Sequence, residues 1–483
     1  MLTPAWITVF HQQHAPLTSL RDQTCNTLRH LIRNGQLLKG ERLPSTRTLA
    51  KDLAISRVTA EAAYSQLEAE GYLQRKVGDG TYVAIHVMQA AGRLQPPPDN
   101  ERQLLSRRGA ALDRGRACAD RQHTQAFAAG APDLRAFPIE TWQKLTSKRL
   151  RQDGASLMRY GDPQGYAPLR SAIAAYLSQS RGVHCQPEQV VVLTSSQQAL
   201  HLIATLLLDP GDPVWMEDPG YRGAKNVFAA LGASVQAVPV DAEGMNPERA
   251  PSPTIPKLIY LTPAHQFPTG VPLSLARRMH LIEYARQHRS WIVEDDYDSE
   301  FQYDSRPIPA MQGLDPHGRV LYVGTFSKVL FPSLRLAYLV LPPALVQRFT
   351  SARAIYDGHC AQLAQAVTAD FLAQGHFAVH IRQMRQLYHS RRDLLVRTLG
   401  QRLPQVSPQC ASAGGLLLTV RLPNGQEQRL TRAAAAAGII TPGLGDMFLE
   451  KPDTDGWMLG YSALNNAEII EGVRRLAALD VWK

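Results

Sequence analysis

Cysteine is scarce and scattered in this chain of 483 residues. Its five cysteines, Cys25, Cys118, Cys185, Cys360 and Cys410, form no CxxC pair and no metal-ligand spacing. A disulfide framework and a structural zinc site are therefore not what organises the fold, and an odd count of thiols fits a reducing compartment. Long apolar runs are missing as well. No stretch approaches the roughly 18 uninterrupted apolar residues of a membrane span. The opening "MLTPAWITVFHQQHAPL" lacks the basic head and apolar core of a secretory signal. The expectation is a cytoplasmic protein with no membrane partner. Internal repeats are not seen. Charged residues make up 19% and hydrophobic ones 44%, which is globular rather than disordered. The length suggests about three domain-sized units. The net charge of +10 is compatible with nucleic acid, and it also fits an ordinary basic soluble protein.

The first eighty residues read as three short helices and a hairpin. Leu20, Leu28, Leu31 and Ile32 lie near helical spacing, and Asn34-Gly35 ends that run. Ser45 can cap the next helix after Pro44, with Leu49, Leu53 and Ile55 on its apolar face. Ser56 can cap the third, with Val58, Ala62, Leu67 and Tyr72 near one face and Gly71 closing it. "QRKVGDGTYVAI" then reads as two strands around Gly78-Asp79-Gly80. This order makes a winged helix-turn-helix, whose second turn helix lies in a DNA major groove. Ser56, Arg57 and Thr59 would face the DNA, with Arg47 and Lys51 on the helix before. Arg75 and Lys76 lie at the wing, where Gly78 allows close backbone approach. Arginine can read guanine or hold phosphate, and the sequence does not separate the two.

From Ala84 to Gln125 the periodicity dissolves, and "LQPPPDNERQ" reads as an extended tether. Beyond residue 126 short apolar strands alternate with amphipathic helices, as in "QVVVLTSS", "QQALHLIATLLL", "KLIYLTP" and "SWIVEDD". That rhythm means an α/β fold with a largely parallel sheet, whose ligands sit at the carboxyl ends of the strands. The chemistry-bearing residues cluster at those ends. A lysine such as Lys328 can capture an aldehyde if its amine is accessible and not fully protonated. Pyridoxal phosphate is such an aldehyde, and its site also needs an acid at the ring nitrogen, a donor to the ring hydroxyl and a phosphate cradle. Asp295 can pair with its ring nitrogen, and Tyr297 can donate to its ring hydroxyl. Tyr221 can lie against the ring. Ser196 and Gln197 open a helix, where free N–H groups favour phosphate, and Thr325, Ser327 and Arg335 can complete that cradle. Singly, each has a plainer explanation as a cap, a solvated lysine or a surface turn.

Two resemblances bring these pieces together. "RLPSTRTLA", "SRVTAEAAYSQLEAEGYL" and "GDGTYV" resemble the DNA-binding domain of the GntR family of bacterial repressors. "RYGDPQGYAPLRSAIAAYL", "SSQQAL", "MEDPGY", "EDDYDSEF", "GTFSKVLFPSLRLAYL" and "SAGGLLLTV" resemble class I aminotransferases of the fold-type I pyridoxal phosphate family. Together they resemble the MocR subfamily of GntR-family transcriptional regulators. The resemblance implies a winged helix-turn-helix at 1–83, a linker at 84–125 and an aminotransferase-like domain at 126–483, with a small α+β part from roughly 360 onward. It also implies that Lys328 carries the cofactor, Asp295 and Tyr297 hold its ring, Tyr221 stacks on it, and the protein is a homodimer on double-stranded promoter DNA.

Two positions depart from the aminotransferase pattern. Phe267 stands directly before "PTG", where an asparagine is usual, leaving Gln266 or His265 as polar substitutes. Met458, in "WMLGYSAL", stands where an arginine clamps the substrate carboxylate. A thioether cannot replace a bidentate guanidinium. Arg222, beside Tyr221, is the other candidate anion partner. The reading is a pyridoxal-phosphate-dependent regulator sensing an amino compound, or the cofactor itself, as its small-molecule effector. The alternatives are a working aminotransferase with a DNA-binding head, and a DNA-binding protein whose large domain only dimerises.

Overall fold

The computed structural model describes residues 4–12, 18–84, 105–113, 126–128, 130–251, 254–303, 309–409 and 414–482. The chain divides into two compact units, Met1–Glu101 and Arg102–Lys483. Among its described residues the first holds helices α1 (Pro4–Gln12), α2 (Leu20–Arg33), α3 (Thr46–Asp52) and α4 (Arg57–Ala69), and a wing of β1 (Leu73–Lys76) and β2 (Gly80–Val83). Three serines start three of the helices. Ser19, Ser45 and Ser56 each accept from the N–H three residues on, at 3.1, 3.1 and 3.0 Å. Leu28, Leu31, Leu49, Ala60, Ala63, Tyr64, Leu67, Leu73 and Val83 form one buried core. The Tyr64 hydroxyl ties α4 to the turn by donating to the Pro44 carbonyl at 2.8 Å.

Four expectations change here. Leu20 is 50% exposed, Val58 79% exposed and Ala62 exposed, so none of them belongs to the core. The buried face of α4 runs through residues 60, 63, 64 and 67, which small alanines let approach α2 and α3 closely. Helix α1 has no counterpart among the expected elements. Its Trp6 and Phe10, one turn apart, are buried in the same core, and Gln23 donates to the Phe10 carbonyl at 2.6 Å.

Of the expected linker, Ala84 and residues 105–113 lie among the described residues, and the latter contain helix α5 (Arg107–Asp113). The remaining elements of the second unit follow in chain order. They are α6 (Ile139–Leu157), α7 (Ala167–Arg181), β3 (Val190–Leu193), α8 (Ser196–Leu207), β4 (Pro213–Asp218), α9 (Arg222–Ala230), β5 (Ser234–Asp241), β6 (Gly244–Met245) and β7 (Leu258–Leu261). Then come α10 (Leu275–His288), β8 (Trp291–Asp296), α11 (Met311–Leu314), β9 (Val320–Thr325), β10 (Ala337–Val340), α12 (Pro343–Tyr356), α13 (Gln362–Ala373) and α14 (His376–Arg402). The last are β11 (Ser407–Pro408), β12 (Leu417–Arg421), α15 (Glu427–Ala436), β13 (Gly456–Gly460) and α16 (Asn466–Ala477). Helix α5 packs against α9.

The large sheet has eight strands in the order β3-β10-β9-β8-β7-β4-β5-β6. β5, β4, β7, β8 and β9 are joined in parallel, and β10 runs antiparallel between β9 and β3. Strands such as "VVVL", "LIYL" and "VLYVGT" are buried along their whole length, because helices cover both faces. A second, three-stranded antiparallel sheet, β11-β12-β13, packs with α14, which in turn packs on α16. No helix among the described residues is long and apolar enough to cross a membrane.

Candidate functional site

The carboxyl ends of the parallel strands meet at one edge of the large sheet. β3 leads to Ser195, β4 to Asp218, β7 to Thr262, β8 to Asp295 and β9 to Thr325. Alternation along β8 sends its two final aspartates to opposite faces. Asp296 is bound by Arg181 at 2.8 Å and by the Tyr322 hydroxyl at 2.6 Å, so it braces β8 against α7. Asp295 accepts from the Tyr260 hydroxyl at 2.7 Å through one oxygen. Its other oxygen, Oδ1, is buried with no hydrogen-bond partner. Burial, with Asp296 and Asp298 nearby, pushes the Asp295 carboxyl up to about 7 against the pull of the Tyr260 bond.

Lys328 lies just past β9, and its Nζ donates to the Gly130 carbonyl at 2.7 Å. Loss of water around the amine lowers its pKa, and the Asp298 carboxylate partly opposes that. Tyr221 leads into α9, and Gln197 donates to its hydroxyl at 3.1 Å. Phe267 stands edge-on to both Tyr221 and Tyr297, with ring centroids at 5.7 and 6.0 Å. Gln197, Tyr221, Phe267 and Tyr297 thus form one connected wall. Thr325 accepts from the Ser327 N–H at 3.1 Å, and Ser196 and Gln197 are the first two residues of α8. Arg335 is exposed in a left-handed conformation, φ 51°, before β10. No hydrogen bond among the described residues joins it to the α8 end.

The two departures have distinct consequences. Gln266 does not stand in for an asparagine. It donates to the Pro219 and Phe267 carbonyls at 2.8 and 2.6 Å and accepts from the Thr269 N–H and hydroxyl at 3.1 and 2.6 Å, so it holds the turn. His265 does face the site, with Nδ1 at 3.1 Å from the Tyr297 hydroxyl and 3.3 Å from the Asp298 carboxylate. Gly415 presses on that imidazole so closely that a Cβ there would stand 2.2 Å from His265 Cε1, which only glycine permits. Met458 pairs directly with Thr419 across β12 and β13, and Thr419 donates to the Pro268 carbonyl at 2.5 Å. Directly paired residues share a face, so Met458 is buried on the side that meets the 262–270 loop. Arg222 is 3.5 Å from Asp446.

Tyr260, Asp298 and the Gly130 carbonyl are site contacts that the sequence pattern does not pick out, whereas His265 is one of its two expected polar substitutes. Asp298 sits inside "EDDYDSEF", where spacing alone does not distinguish it from Asp296. A backbone carbonyl such as that of Gly130 leaves no side-chain signal.

On the first unit, Arg47, Lys51, Arg57 and Lys76 are all exposed. The Ser56 and Thr59 hydroxyls are 2.8 Å apart and satisfy one another at the cap. Arg75 does not extend from the wing. It is held by Glu61 at 2.6 Å, Glu68 at 3.1 Å and Ser65 at 2.9 Å. Lys76 lies over the Tyr82 ring at 4.8 Å, and Gly78, φ 79°, forms an open wing tip.

Comparison with known proteins matches residues 20–83 to the family "Bacterial regulatory proteins, gntR family" and residues 126–444 to "Aminotransferase class I and II". The chain is 39% identical, over 94% of its length and 92% of the relative's, to the probable rhizopine catabolism regulatory protein MocR of Rhizobium meliloti. The chain belongs to the MocR-type regulators of the GntR family. This MocR-type chain is also 28% identical, over 93% of each protein, to the pyridoxine biosynthesis transcriptional regulator PdxR of Corynebacterium glutamicum. Its fold matches LysN, the alpha-aminoadipate aminotransferase of Thermus thermophilus, with a TM-score of 0.69 at 30% identity, covering 76% of this chain and 96% of that one. The domains are a GntR winged helix-turn-helix and a fold-type I aminotransferase domain, whose cofactor is pyridoxal phosphate. The MocR-type site fits that group. It offers a buried acceptor without a partner, Asp295 Oδ1, which suits a protonated ring nitrogen, and a desolvated amine, Lys328, which suits an aldehyde. The start of α8 offers N–H groups for a phosphate.

Proposed function

We propose that this transcriptional regulator senses a small amine, or pyridoxal phosphate itself, at the strand-end site, and passes that signal to its DNA-binding head. The single observation that carries this reading is the unpartnered, buried Oδ1 of Asp295 in a site that also holds the desolvated amine of Lys328. Bound there, pyridoxal phosphate supplies an aldehyde for amines and a ring that withdraws electrons. Lys328 is the amine that holds it, Asp295 keeps its ring nitrogen protonated, Tyr297 serves the ring hydroxyl and Tyr221 covers the ring. Ser196, Gln197, Thr325, Ser327 and Arg335 hold the phosphate. In the head, Arg47, Lys51, Arg57, Lys76 and the Gly78 tip contact promoter DNA, with Ser56 and Thr59 at the groove. The protein works in the cytoplasm.

Met458 sets the effector class. It puts an apolar side chain on the loop side of the site where a guanidinium would clamp a carboxylate, which favours an effector without an α-carboxylate, while Phe267 offers no donor to the cofactor's ring oxygen. Arg222, facing Asp446, is the contact that an effector's more distant anionic group would compete for. A homodimer is supported by large apolar side chains left exposed on this unit, Met158 at 80%, Tyr160 at 98% and Ile355 at 85%. A ligand acts on the head only through its differential affinity for two states of the protein. The test is promoter-DNA affinity measured with and without pyridoxal phosphate, across a panel of amines with and without carboxylates. Affinity that changes with the cofactor or a decarboxylated amine, and not in Lys328→Ala, supports the reading. Sustained turnover of amino acids instead would favour the aminotransferase.

A further inference from the structure

The two faces of α4 differ in a way that its capping explains only in part. Residues 60, 63, 64 and 67 face the core, while Val58, Glu61, Ala62 and Ser65, at helical spacing, face outward with Arg57 and line a shallow concavity. Most polar groups on that outer face are already engaged. Glu61 is paired with Arg75 at 2.6 Å, and Ser65 accepts from Arg75 at 2.9 Å. The Ser56 and Thr59 hydroxyls bond to one another at 2.8 Å, and Ser56 accepts from the Thr59 N–H at 3.0 Å. The groups left to meet a partner at the start of α4 are the charge of Arg57 and the apolar side chains of Val58 and Ala62.

Val58 is 79% exposed. A β-branched residue is a poor helix former, and an exposed valine gains nothing from burial. Its placement is explained if burial comes on binding. The surroundings name the partner, because the exposed bases Arg47, Lys51, Arg57 and Lys76 lie on the same unit and suit a polyanion. In a major groove the apolar feature that a base pair offers is the C5-methyl of thymine.

We propose that Val58, with Ala62 one turn on, determines operator specificity by packing against a thymine methyl. Arg57 positions the same turn on the adjacent phosphate or guanine. This rests on the DNA-binding reading of the first unit and goes beyond it by naming the residue and the base chemistry.

The experiment begins with the full-length protein and a randomised duplex library. The most enriched duplex is then remade with each thymine replaced in turn by uracil, which removes one methyl and keeps all base pairing. Burial of one methyl corresponds to about a fourfold affinity change. At one thymine per half-site, wild type loses about fourfold on uracil substitution. Val58→Ala binds the thymine duplex more weakly and shows no uracil penalty there. Val58→Thr, which keeps one γ-methyl, retains part of the penalty. The proposal is overturned if no uracil substitution matters, or if Val58→Ala keeps the full penalty. A library in which nothing is enriched overturns the DNA-binding reading together with it.

Discussion

Replacing Asp295 by asparagine should move stability and cofactor affinity in opposite directions. Asp295 is 4% exposed, and burial pushes its carboxyl from 3.8 up to about 7 in the cofactor-free protein. Its folded pKa therefore lies above its unfolded one. The stability it contributes is fully present below the unfolded value and is lost as pH rises through about 7. Between pH 5 and pH 8 that loss amounts to about 2.5 kcal/mol. Glu217 is likewise pushed to about 7 by burial, but its slope is common to both proteins and largely cancels. The substituted amide carries no charge at either pH, and Tyr260 can still donate to its carbonyl oxygen. The cofactor-free variant should thus lose about 2.5 kcal/mol less than wild type between those pH values, in urea unfolding at each. It should also bind pyridoxal phosphate roughly 10- to 100-fold more weakly, because a charge-assisted bond is lost. Equal pH slopes in the two proteins, or unchanged cofactor affinity, would refute the reasoning.

Other substitutions probe the remaining parts. Met458→Arg restores a guanidinium on the loop side of the site, so the cofactor-loaded variant should bind α-amino acids at least about tenfold more tightly than wild type, seen as a spectral shift. Arg57→Ala should reduce the slope of log affinity against log salt for promoter DNA by about 1. The same change at Arg75 should alter that slope far less, since its guanidinium is bound within the head. Phe10→Ala removes a buried ring from the head core and should cost about 3–5 kcal/mol, measured as lost amide protection in α2.

The architecture was legible because its signals are periodic. Strands such as "VVVL" and "VLYVGT" are continuous apolar runs, and the α/β rhythm placed Lys328, Asp295, Tyr221 and Ser196 at one sheet edge. The serine caps of α3 and α4 follow from chemistry local to each turn, whereas Ser19, which caps α2, is not marked by the sequence pattern. What escaped was tertiary. The buried face of α4 uses Ala60 and Ala63, and small residues carry little hydrophobic signal, so Val58 was assigned inward when it points out. Arg75 looked like a free wing arginine because Glu61 and Glu68 lie on another element. Gln266 and His265 are adjacent in sequence and equally polar. Only the turn through Thr269 and Pro219 shows that one is structural and the other faces Tyr297.

Everything depends on the amine of Lys328 holding pyridoxal phosphate, and an absorbance spectrum tests that most directly. Full-length protein soaked in the cofactor and gel-filtered should keep a band near the visible edge, and Lys328→Ala treated identically should lose it. A colourless wild-type protein, or an identical band in the variant, would contradict the account.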